Sequence, residues 1–316
     1  MRERQIVLGL DTSNYTTSAA LLYDDGELIA NIKCPLRVDS GERGLRQSEA
    51  VFSHIKNIPT VMDEVRRYLG DRYPAAIGVS SKPRNVDGSY MPCFLSGVAV
   101  AESIAAVLGA PLYKFSHQCG HVMAALYSSG AQELMNNSFA AFHVSGGTTE
   151  LLIVRGNQTG FDTELVGGTK DLNAGQIIDR IGVFLGMDFP AGPHMERAAL
   201  AYAGKIPSKK VSVNGTYANL SGLENMAHKM YEESGDVSLT AAFVFDYIGN
   251  SIFEMCNNLI LTRGEIPFVF AGGVMCNSII RSKLSAGFNA RFAEPALSAD
   301  NAVGIAELTR RAHFGY

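Results

Sequence analysis

Apolar residues in the first third of the chain form short continuous runs and one long stretch with helical spacing. The run "QIVLGLDTS" predicts a strand, and "TTSAALLYDDGELIANIK" predicts two more strands around an Asp-Gly turn at Asp25 and Gly26. From about Ser48 to Leu69 the apolar positions recur at the spacing of a helix face, which predicts an amphipathic helix. A buried strand, "AAIGVSS", and an apolar helix over residues 96–108 follow. The pattern predicts an α/β domain.

The same plan of strands and helices begins again in the second half. The segment "NSFAAFHVSGGTTELLIVRGNQ" predicts a strand, a Gly-Gly turn and a return strand, and a long helix is predicted from about Leu239 to Leu261. Residues 203–222 are polar and glycine-rich, which predicts a surface insertion. The chain therefore reads as two α/β halves with a similar opening. Further helices are predicted in "AGQIIDRIGVFLG", "GPHMERAALAYAG" and "SADNAVGIAELTRRAHF", and "PFVFAGGVMCNSIIRSKL" predicts a strand, a turn and a helix.

Length and composition narrow the class of protein. The 316 residues are long for one compact domain and sufficient for two, and 47% hydrophobic residues can bury a sizeable core. A net charge of -4 argues against a generally basic nucleic-acid binder, although it leaves room for a local basic groove. The five cysteines contain no CxxC pair, which favours a reducing cytoplasm. The start lacks the apolar run of a signal peptide, and no apolar stretch reaches the roughly 20 residues of a membrane span. We expect a cytoplasmic protein that is not embedded in a membrane.

Two loops rich in small and hydroxyl-bearing residues open the two halves. The loops "DTSNYTT" and "SGGTTE" each follow a strand, and hydroxyl and free backbone N–H groups at such turns can hold phosphate oxygens. A third motif, "FAGGVMCNS", allows a helix to start close to a ligand at Gly272 and Gly273, and Asn277 can bond a base or ribose. One Gly-Gly pair alone is more often a plain tight turn, but three motifs in this order predict a nucleotide clamp.

The segment "SHQCGHVMAAL" places His117 and His121 four positions apart in a predicted helix. Side chains at this spacing share one helix face, which is a metal-chelating geometry, and the alternative is a pair of packed histidines. Zinc peptidases have a glutamate directly after the first histidine, where this chain has Gln118. Nothing near His54 or His228 indicates a role, and we expect both at the surface.

Seven motifs follow one another from about residue 7 to residue 308. They are "LDTSNYTTSAAL", "SHQCGH", "HVSGGTTEL", "AGQIIDRIGVFLGMDFPAGP", "LSGL", "AGGVMCN" and "SADNA". This order resembles the tRNA threonylcarbamoyladenosine synthase family, formerly described as O-sialoglycoprotein endopeptidases (glycoproteases). The resemblance implies the fold of actin, the sugar kinases and the heat-shock ATPases, with two similar α/β domains and a nucleotide cleft between them. On this basis we expect a first domain over residues 1–115, with the C-terminal helix 304–316 packing back on it, and a second over 116–303.

The resemblance also implies roles for single residues. His117 and His121 match the family's metal-binding histidines, and Asp300 matches the aspartate that completes the metal site. His143 stands where some members have a tyrosine that reaches the metal, so we expect a fourth ligand or a partner of a ligand there. The alternative for His143 is a side chain that points into the sheet and bonds a backbone carbonyl. The cofactors implied are one divalent ion, Fe²⁺ or Zn²⁺, and ATP or an adenylate. The residues expected to hold the nucleotide are Ser145, Gly146, Gly147, Thr148, Asp179, Gly192 and Asn277.

The chain departs from the family at positions on the expected catalytic face. Asn14 and Tyr15 stand where the family usually has two acidic residues, and we take these as the candidate catalytic positions with a changed proton acceptor. The stretch "SSKPRNVDGSYMPCFLSG" replaces a "GPG" loop, and Thr148 and Glu150 replace the usual residues after "SGG". These changes indicate a divergent paralogue.

Three functions are compatible with this sequence. The first is metal-dependent transfer of a threonylcarbamoyl group from its adenylate to the N6 amine of an adenosine in tRNA, with other subunits of that pathway as partners. The second is an ATP-dependent carbamoyl- or phosphoryl-transferase, or an ATPase, that acts on a small molecule. The changed loop and the weakly acidic charge favour this second function. The third is a non-catalytic partner of a true family member. The retained metal residues argue against this third function. The sequence leaves open whether the chain forms a homodimer or a heterodimer.

Overall fold

The computed structural model describes residues 3–13, 15–37, 45–157, 160–298 and 301–315. The chain forms two compact units. Unit 1 consists of Met1–Gln132, Gly156–Asp162 and Ala299–Tyr316, and unit 2 consists of Glu133–Arg155 and Thr163–Ser298. We expected the boundary between the two domains after residue 115, whereas the structure groups residues 116–132 with unit 1.

Unit 1 is built on a five-stranded sheet with the strand order β3-β2-β1-β4-β5. Strand β1 pairs antiparallel with β2 and parallel with β4, and β4 pairs parallel with β5. The carboxyl ends of β1, β4 and β5 therefore meet at one edge, where ligands of open α/β sheets usually bind. The strands are β1 (Ile6–Asp11), β2 (Thr16–Tyr23), β3 (Leu28–Pro35), β4 (Ala76–Lys82) and β5 (Leu112–Ser116).

The helices of unit 1 pack on this sheet through apolar faces. The helix predicted from Ser48 to Leu69 is confirmed as α1 (Gln47–Leu69). Helix α3 packs on α10, because Gly120 and Gly304 allow a close approach, and this packing explains why residues 116–132 join unit 1. Among the described residues, no helix is both long enough and apolar enough to cross a bilayer. The other helices are α2 (Phe94–Leu108), α3 (His117–Ser129) and α10 (Val303–Phe314).

Unit 2 repeats the plan of unit 1 and extends it at one edge. Its strand order is β12-β11-β6-β7-β8-β10-β9. Strand β6 pairs antiparallel with β7 and parallel with β11, as β1 does with β2 and β4. Stacked rings of Phe142, Phe268 and Phe270 lie in its core. The strands are β6 (Ser138–Val144), β7 (Thr149–Asn157), β8 (Gly160–Thr169), β9 (Val213–Asn214), β10 (Tyr217–Ala218), β11 (Phe268–Ala271) and β12 (Ala290–Phe292).

Residues 203–222 are only in part the surface insertion that their composition predicted. Strand β10 pairs with β8 through Tyr217 and Gly168, and Val211, Ala218 and Leu220 are buried in the core of unit 2. The long helix predicted from Leu239 is confirmed as α7. The helices of this unit are α4 (Ala174–Phe184), α5 (Gly192–Ala201), α6 (Ser221–Ser234), α7 (Val237–Arg263), α8 (Ser278–Gly287) and α9 (Pro295–Ser298).

Two histidines that were expected at the surface are fully or partly buried. His54 is fully buried on the inner face of α1, and its Nδ1 lies 2.9 Å from the hydroxyl oxygen of Thr17 on β2. His228 is half-buried on α6, and its ring stacks on Phe184 with 3.9 Å between the ring centroids. Both positions depend on which helix face packs inward, and a single polar residue does not reveal that.

Candidate functional site

The histidine pair lies at the start of helix α3, at the carboxyl end of β5. The hydroxyl of Ser116 accepts a hydrogen bond from the Cys119 backbone N–H at 3.2 Å, and this cap starts the helix at His117. One helical turn separates His117 from His121, and their rings meet edge to face with centroids 4.3 Å apart. Their Nε2 atoms are 2.9 Å apart. The predicted convergence of the two side chains on one face is therefore present.

Asp11, which the sequence analysis did not single out, contacts His117. Its Oδ2 lies 2.8 Å from Nδ1 of His117, and its Oδ1 accepts the Ser13 backbone N–H at 2.7 Å. Asp11 is 1% exposed and ends the buried strand β1. The sequence did contain a signal for Asp11, because an ionisable residue at the end of a buried apolar strand is unusual and often has a specific role.

The loop after β1 also anchors the start of helix α2. The Thr12 hydroxyl donates to the Cys93 carbonyl at 3.0 Å and accepts the Gly97 backbone N–H at 3.1 Å. The ring of Phe94, the first residue of α2, lies 6.1 Å from that of His117. Tyr15, in the turn between β1 and β2, is 46% exposed, and Asn14 lies outside the described residues.

The loop that replaces the family's "GPG" segment lies beside the histidine helix. The Pro83 carbonyl accepts the Gln118 backbone N–H at 3.0 Å, which ties the loop to the first turn of α3. The Ser89 hydroxyl accepts the Arg84 backbone N–H at 3.0 Å and closes the loop on itself. Val86 and Tyr90 are exposed. This loop thus lies next to the first turn of α3 within unit 1.

The histidine pair fits a divalent metal ion as a partial ligand set. Two imidazole nitrogens that face each other suit zinc or ferrous iron. A tetrahedral ion with bonds of about 2.0–2.1 Å needs the nitrogens roughly 3.3 Å apart, a few tenths of an ångström more than observed. Among the described residues, no group of three or more His, Cys, Asp or Glu side chains is arranged to hold a metal. Asp300, the expected third ligand, lies outside the described residues.

The expected phosphate loop of unit 2 is a tight turn between β6 and β7. The Ser145 backbone N–H donates to the Thr148 carbonyl at 2.7 Å, and Gly146 and Gly147 face open space where a side chain would meet nothing within 4 Å. Helix α4 starts directly behind the turn, because the Gly175 backbone N–H donates to the Ser145 carbonyl at 3.2 Å. An accessible turn in front of a helix N-terminus is suited to bind an anion.

Asp179 and Gly192, both expected to hold the nucleotide, lie next to each other in unit 2. The Asp179 carboxylate accepts the Ala191 backbone N–H at 2.8 Å and also bonds the N–H of Gly192, at the start of α5. Burial raises the pKa of Asp179, and the two backbone hydrogen bonds partly oppose this effect. A half-buried carboxylate kept partly desolvated is a frequent feature of ligand sites.

Asn277 combines a structural role with an unused donor. Its Oδ1 accepts the backbone N–H groups of Ile279 and Ile280 at 3.1 and 3.0 Å, which caps helix α8. Its Nδ2 is buried and has no hydrogen-bond partner. A buried donor without a partner is costly, so this amide is available to bond a ligand. Glu196 supports the same helix start by accepting the Ser278 backbone N–H at 2.6 Å.

The parallel pairing of β6 with β11 explains why these nucleotide motifs are neighbours in unit 2. His143 on β6 is in register with Ala271 on β11, so the turn after β6 and the glycines after β11 leave the same sheet edge. Gly272 has φ of +97°, and a Cβ there would collide with the Val144 carbonyl. His143 itself is half-buried near the end of β6.

Comparisons with solved structures support the fold. HypF from T. kodakarensis superposes with a TM-score of 0.64 at 12% identity, over 99% of this chain and 48% of that protein. A ROK family glucokinase from Streptomyces griseus, in complex with glucose and AMPPNP, gives 0.55 at 11% identity over 97% and 99% of the two chains. The activator of 2-hydroxyisocaproyl-CoA dehydratase from Clostridium difficile, with bound ADPNP, gives 0.54 at 12% identity over 98% and 97%. The actin-like, sugar-kinase-like fold is thereby confirmed.

A sequence profile identifies the family. Residues 40–307 match the profile of TsaD, tRNA N6-adenosine threonylcarbamoyltransferase. The match covers well over half of the chain and contains both histidines, the phosphate loop, Asp179 and Asn277. It confirms the resemblance found in the motifs. The chain belongs to the TsaD family of tRNA N6-adenosine threonylcarbamoyltransferases.

Proposed function

We propose that this chain transfers a threonylcarbamoyl group from threonylcarbamoyl-adenylate to the N6 amine of an adenosine in tRNA. Its family consists of transferases that modify tRNA. The observation that carries the proposal is the convergence of the His117 and His121 Nε2 atoms, 2.9 Å apart, in a chain of this family. We propose other subunits of the pathway as partners.

The chemistry of this transfer is compatible with Gln118 in the place of a peptidase glutamate. The N6 nitrogen attacks the carbamoyl carbon of the mixed anhydride, and a C–N bond forms. The bond between that carbon and the phosphate oxygen breaks, and AMP leaves with the electron pair. The amine loses a proton to a base or to solvent. No water molecule has to be activated beside the histidines.

We assign the adenylate part of the donor to unit 2. The turn of Ser145 to Thr148 has exposed glycines in front of a helix N-terminus, which suits the phosphate. The unused Nδ2 donor of Asn277 and the Asp179 carboxylate with Gly192 suit the base and the ribose. These contacts hold the donor still, and an oriented donor lowers the entropic part of the barrier.

We assign one divalent ion, Fe²⁺ or Zn²⁺, to His117 and His121, with Asp300 as third ligand and His143 as a fourth ligand or a partner of one. Bound there, the ion would supply Lewis acidity and orient a carboxylate or carbonyl of the donor. The assignment of Asp300 and His143 rests on the family resemblance. Asn14 and Tyr15 are proposed to face the acceptor, and the exposed ring of Tyr15 is compatible with this role.

The loop of residues 83–92 favours a second candidate, transfer to a small-molecule acceptor. It is tied to the first turn of α3 through Pro83 and Gln118, and it exposes Val86 and Tyr90. Its sequence differs from the family's pattern beside the histidines. A changed loop at this place is suited to change the acceptor while the donor residues stay.

The test is an assay with purified chain, partner subunits, unmodified tRNA and an enzyme that forms the donor from ATP, threonine and bicarbonate. We expect the threonylcarbamoylated nucleoside by mass spectrometry and one AMP released for each group transferred. His117→Ala should abolish the product, whereas His313→Ala, a histidine of the same unit on α10, should leave it near the parent level.

Donor consumption and AMP release without modified tRNA would favour the small-molecule acceptor. A chain that binds neither adenine nucleotide nor donor would contradict both candidates. Binding of the donor is measured separately by calorimetry, so loss of binding and loss of transfer are distinguished.

A further inference from the structure

We propose that Asp11 is a positioning residue that fixes the tautomer of His117, so that Nε2 of His117 presents a lone pair toward His121. This inference rests on the proposed metal-binding role of the two histidines and adds a residue to it. It comes from a contact across the fold, since Asp11 and His117 are 106 positions apart in sequence.

The hydrogen bond between the two side chains determines where the proton lies. An ionised carboxylate can only accept, so the 2.8 Å contact of Asp11 Oδ2 requires a hydrogen on Nδ1 of His117. The Ser13 backbone N–H donates to Oδ1 at 2.7 Å, so Oδ2 is the oxygen that faces His117. A neutral imidazole with its proton on Nδ1 has its lone pair on Nε2.

The contact with His121 is consistent with this tautomer. Two lone pairs that face each other at 2.9 Å would repel, so the described contact requires one proton between the Nε2 atoms. Because the contact with Asp11 places the His117 hydrogen on Nδ1, the proton between the rings belongs to His121. A divalent cation held by both rings would take the place of this proton, and a neutral His121 would then carry its hydrogen on Nδ1.

Asp11 is held firmly enough to impose this orientation. It is 1% exposed at the end of β1, and the Ser13 N–H fixes the plane of its carboxylate. The His117 side chain is only 12% exposed, so its ring has little freedom to turn. A carboxylate that orients a metal-ligating histidine from its far nitrogen raises metal affinity in other metalloproteins.

Asp11→Asn is a sharp test because it should reverse the tautomer. The Ser13 N–H still needs an oxygen, so the asparagine oxygen stays there and its NH₂ group faces Nδ1 of His117. That nitrogen must then accept, and the hydrogen moves to Nε2, where it blocks the metal. Asp11→Ala removes the constraint without imposing the wrong tautomer. Asp25→Asn, at an exposed aspartate of the same unit, is the matched control.

The tautomer is measured by ¹⁵N NMR of the imidazole rings in metal-free, histidine-labelled protein. We expect Nδ1–H on His117 in the parent and Nε2–H in Asp11→Asn. Zinc affinity, measured by competition with a chelator, should fall about 10–100-fold in Asp11→Asn and less in Asp11→Ala. Asp25→Asn should match the parent in both measurements. Circular dichroism and thermal unfolding check that each variant is folded.

The order of the two Asp11 variants separates positioning from packing. A merely structural role predicts that alanine, which leaves a cavity, costs more zinc affinity than asparagine. That order, or Nε2–H on His117 in the parent, or an unchanged tautomer in Asp11→Asn, would overturn the proposal. If the parent binds no zinc or ferrous iron, the proposed metal site fails, while the tautomer in the metal-free protein still decides the role of Asp11.

Discussion

Gly304 of helix α10 packs directly against the backbone carbonyl of Gly120 in helix α3. A Cβ at Gly304 would collide with that oxygen and would lie 2.8 Å from the Ala124 backbone nitrogen. Gly120 precedes His121 in the chain, so this contact sets the position of the helix that carries both histidines. The backbone cannot yield as a flexible side chain would.

Gly304→Ala is therefore expected to destabilise unit 1. The extra methyl group should lower the free energy of unfolding by about 1–3 kcal/mol, the cost of overpacking a tight contact. Gly222→Ala is the matched control, since this glycine is also helical and a Cβ there meets nothing within 4 Å. It should be neutral or stabilise by about 0.5–1 kcal/mol. Denaturant unfolding followed by circular dichroism measures both, and equal effects would contradict the packing argument.

Asn277 offers a way to separate helix capping from nucleotide binding. Asn277→Ala loses the cap of α8 and should cost about 0.5–2 kcal/mol of stability. Asn277→Asp keeps an oxygen for Ile279 and Ile280, and a negative charge at a helix N-terminus is favourable, so its stability should be near that of the parent. Both variants lose the Nδ2 donor and should bind adenine nucleotide more weakly in calorimetry. Parent-like nucleotide binding by Asn277→Asp would show that this donor serves no ligand.

Local patterns in the sequence were sufficient to predict part of this site. The spacing of His117 and His121 alone places them on one helix face, and the glycines of the two loops indicate turns. These inferences need only the geometry of one helix or one turn.

Contacts across the fold could not be predicted in this way. Asp11 reaches His117 because β1 and β5 end at the same sheet edge, with β4 between them. His54 is buried because the inner face of α1 meets Thr17 on β2. The polar stretch around Tyr217 joins a sheet because β8 leaves an edge to pair with. In each case the partner comes from a distant part of the chain, and composition carries no information about it.

The raised pKa of Asp179 has a consequence for the pH dependence of folding. Burial raises its folded-state pKa above the ordinary value of 3.8, so the folded state binds this proton more tightly than the unfolded chain does. The contribution of Asp179 to stability is therefore complete below its pKa in the unfolded chain. It is lost as the pH rises through its pKa in the folded protein. Asp179→Asn cannot titrate, so the melting temperature of the parent minus that of the variant should decrease from about pH 3 to pH 7.

That difference is measured by thermal unfolding without nucleotide, which removes the effect of a bound ligand. Using the difference between the two proteins also cancels the titration of the other carboxylates. A difference that is constant or that increases with pH would contradict a raised pKa. Asp179→Asn should bind adenine nucleotide more weakly even where it is the more stable protein, as expected for a group kept at a cost to folding.

The last prediction concerns His143, which is half-buried near the end of β6. Imidazole is a good ligand for zinc or ferrous iron at neutral pH, and the family resemblance places a metal-reaching side chain at this position. We expect His143→Phe to lower metal affinity by at least about 10–100-fold, the size found for partners of metal ligands. His143→Gln retains a hydrogen-bonding group and should lose less affinity if His143 acts through another ligand. Zinc competition with a chelator gives the affinities, and His117→Ala, which should abolish binding, sets the lower limit. Parent-level affinity in His143→Phe would assign His143 to the packing of the sheet.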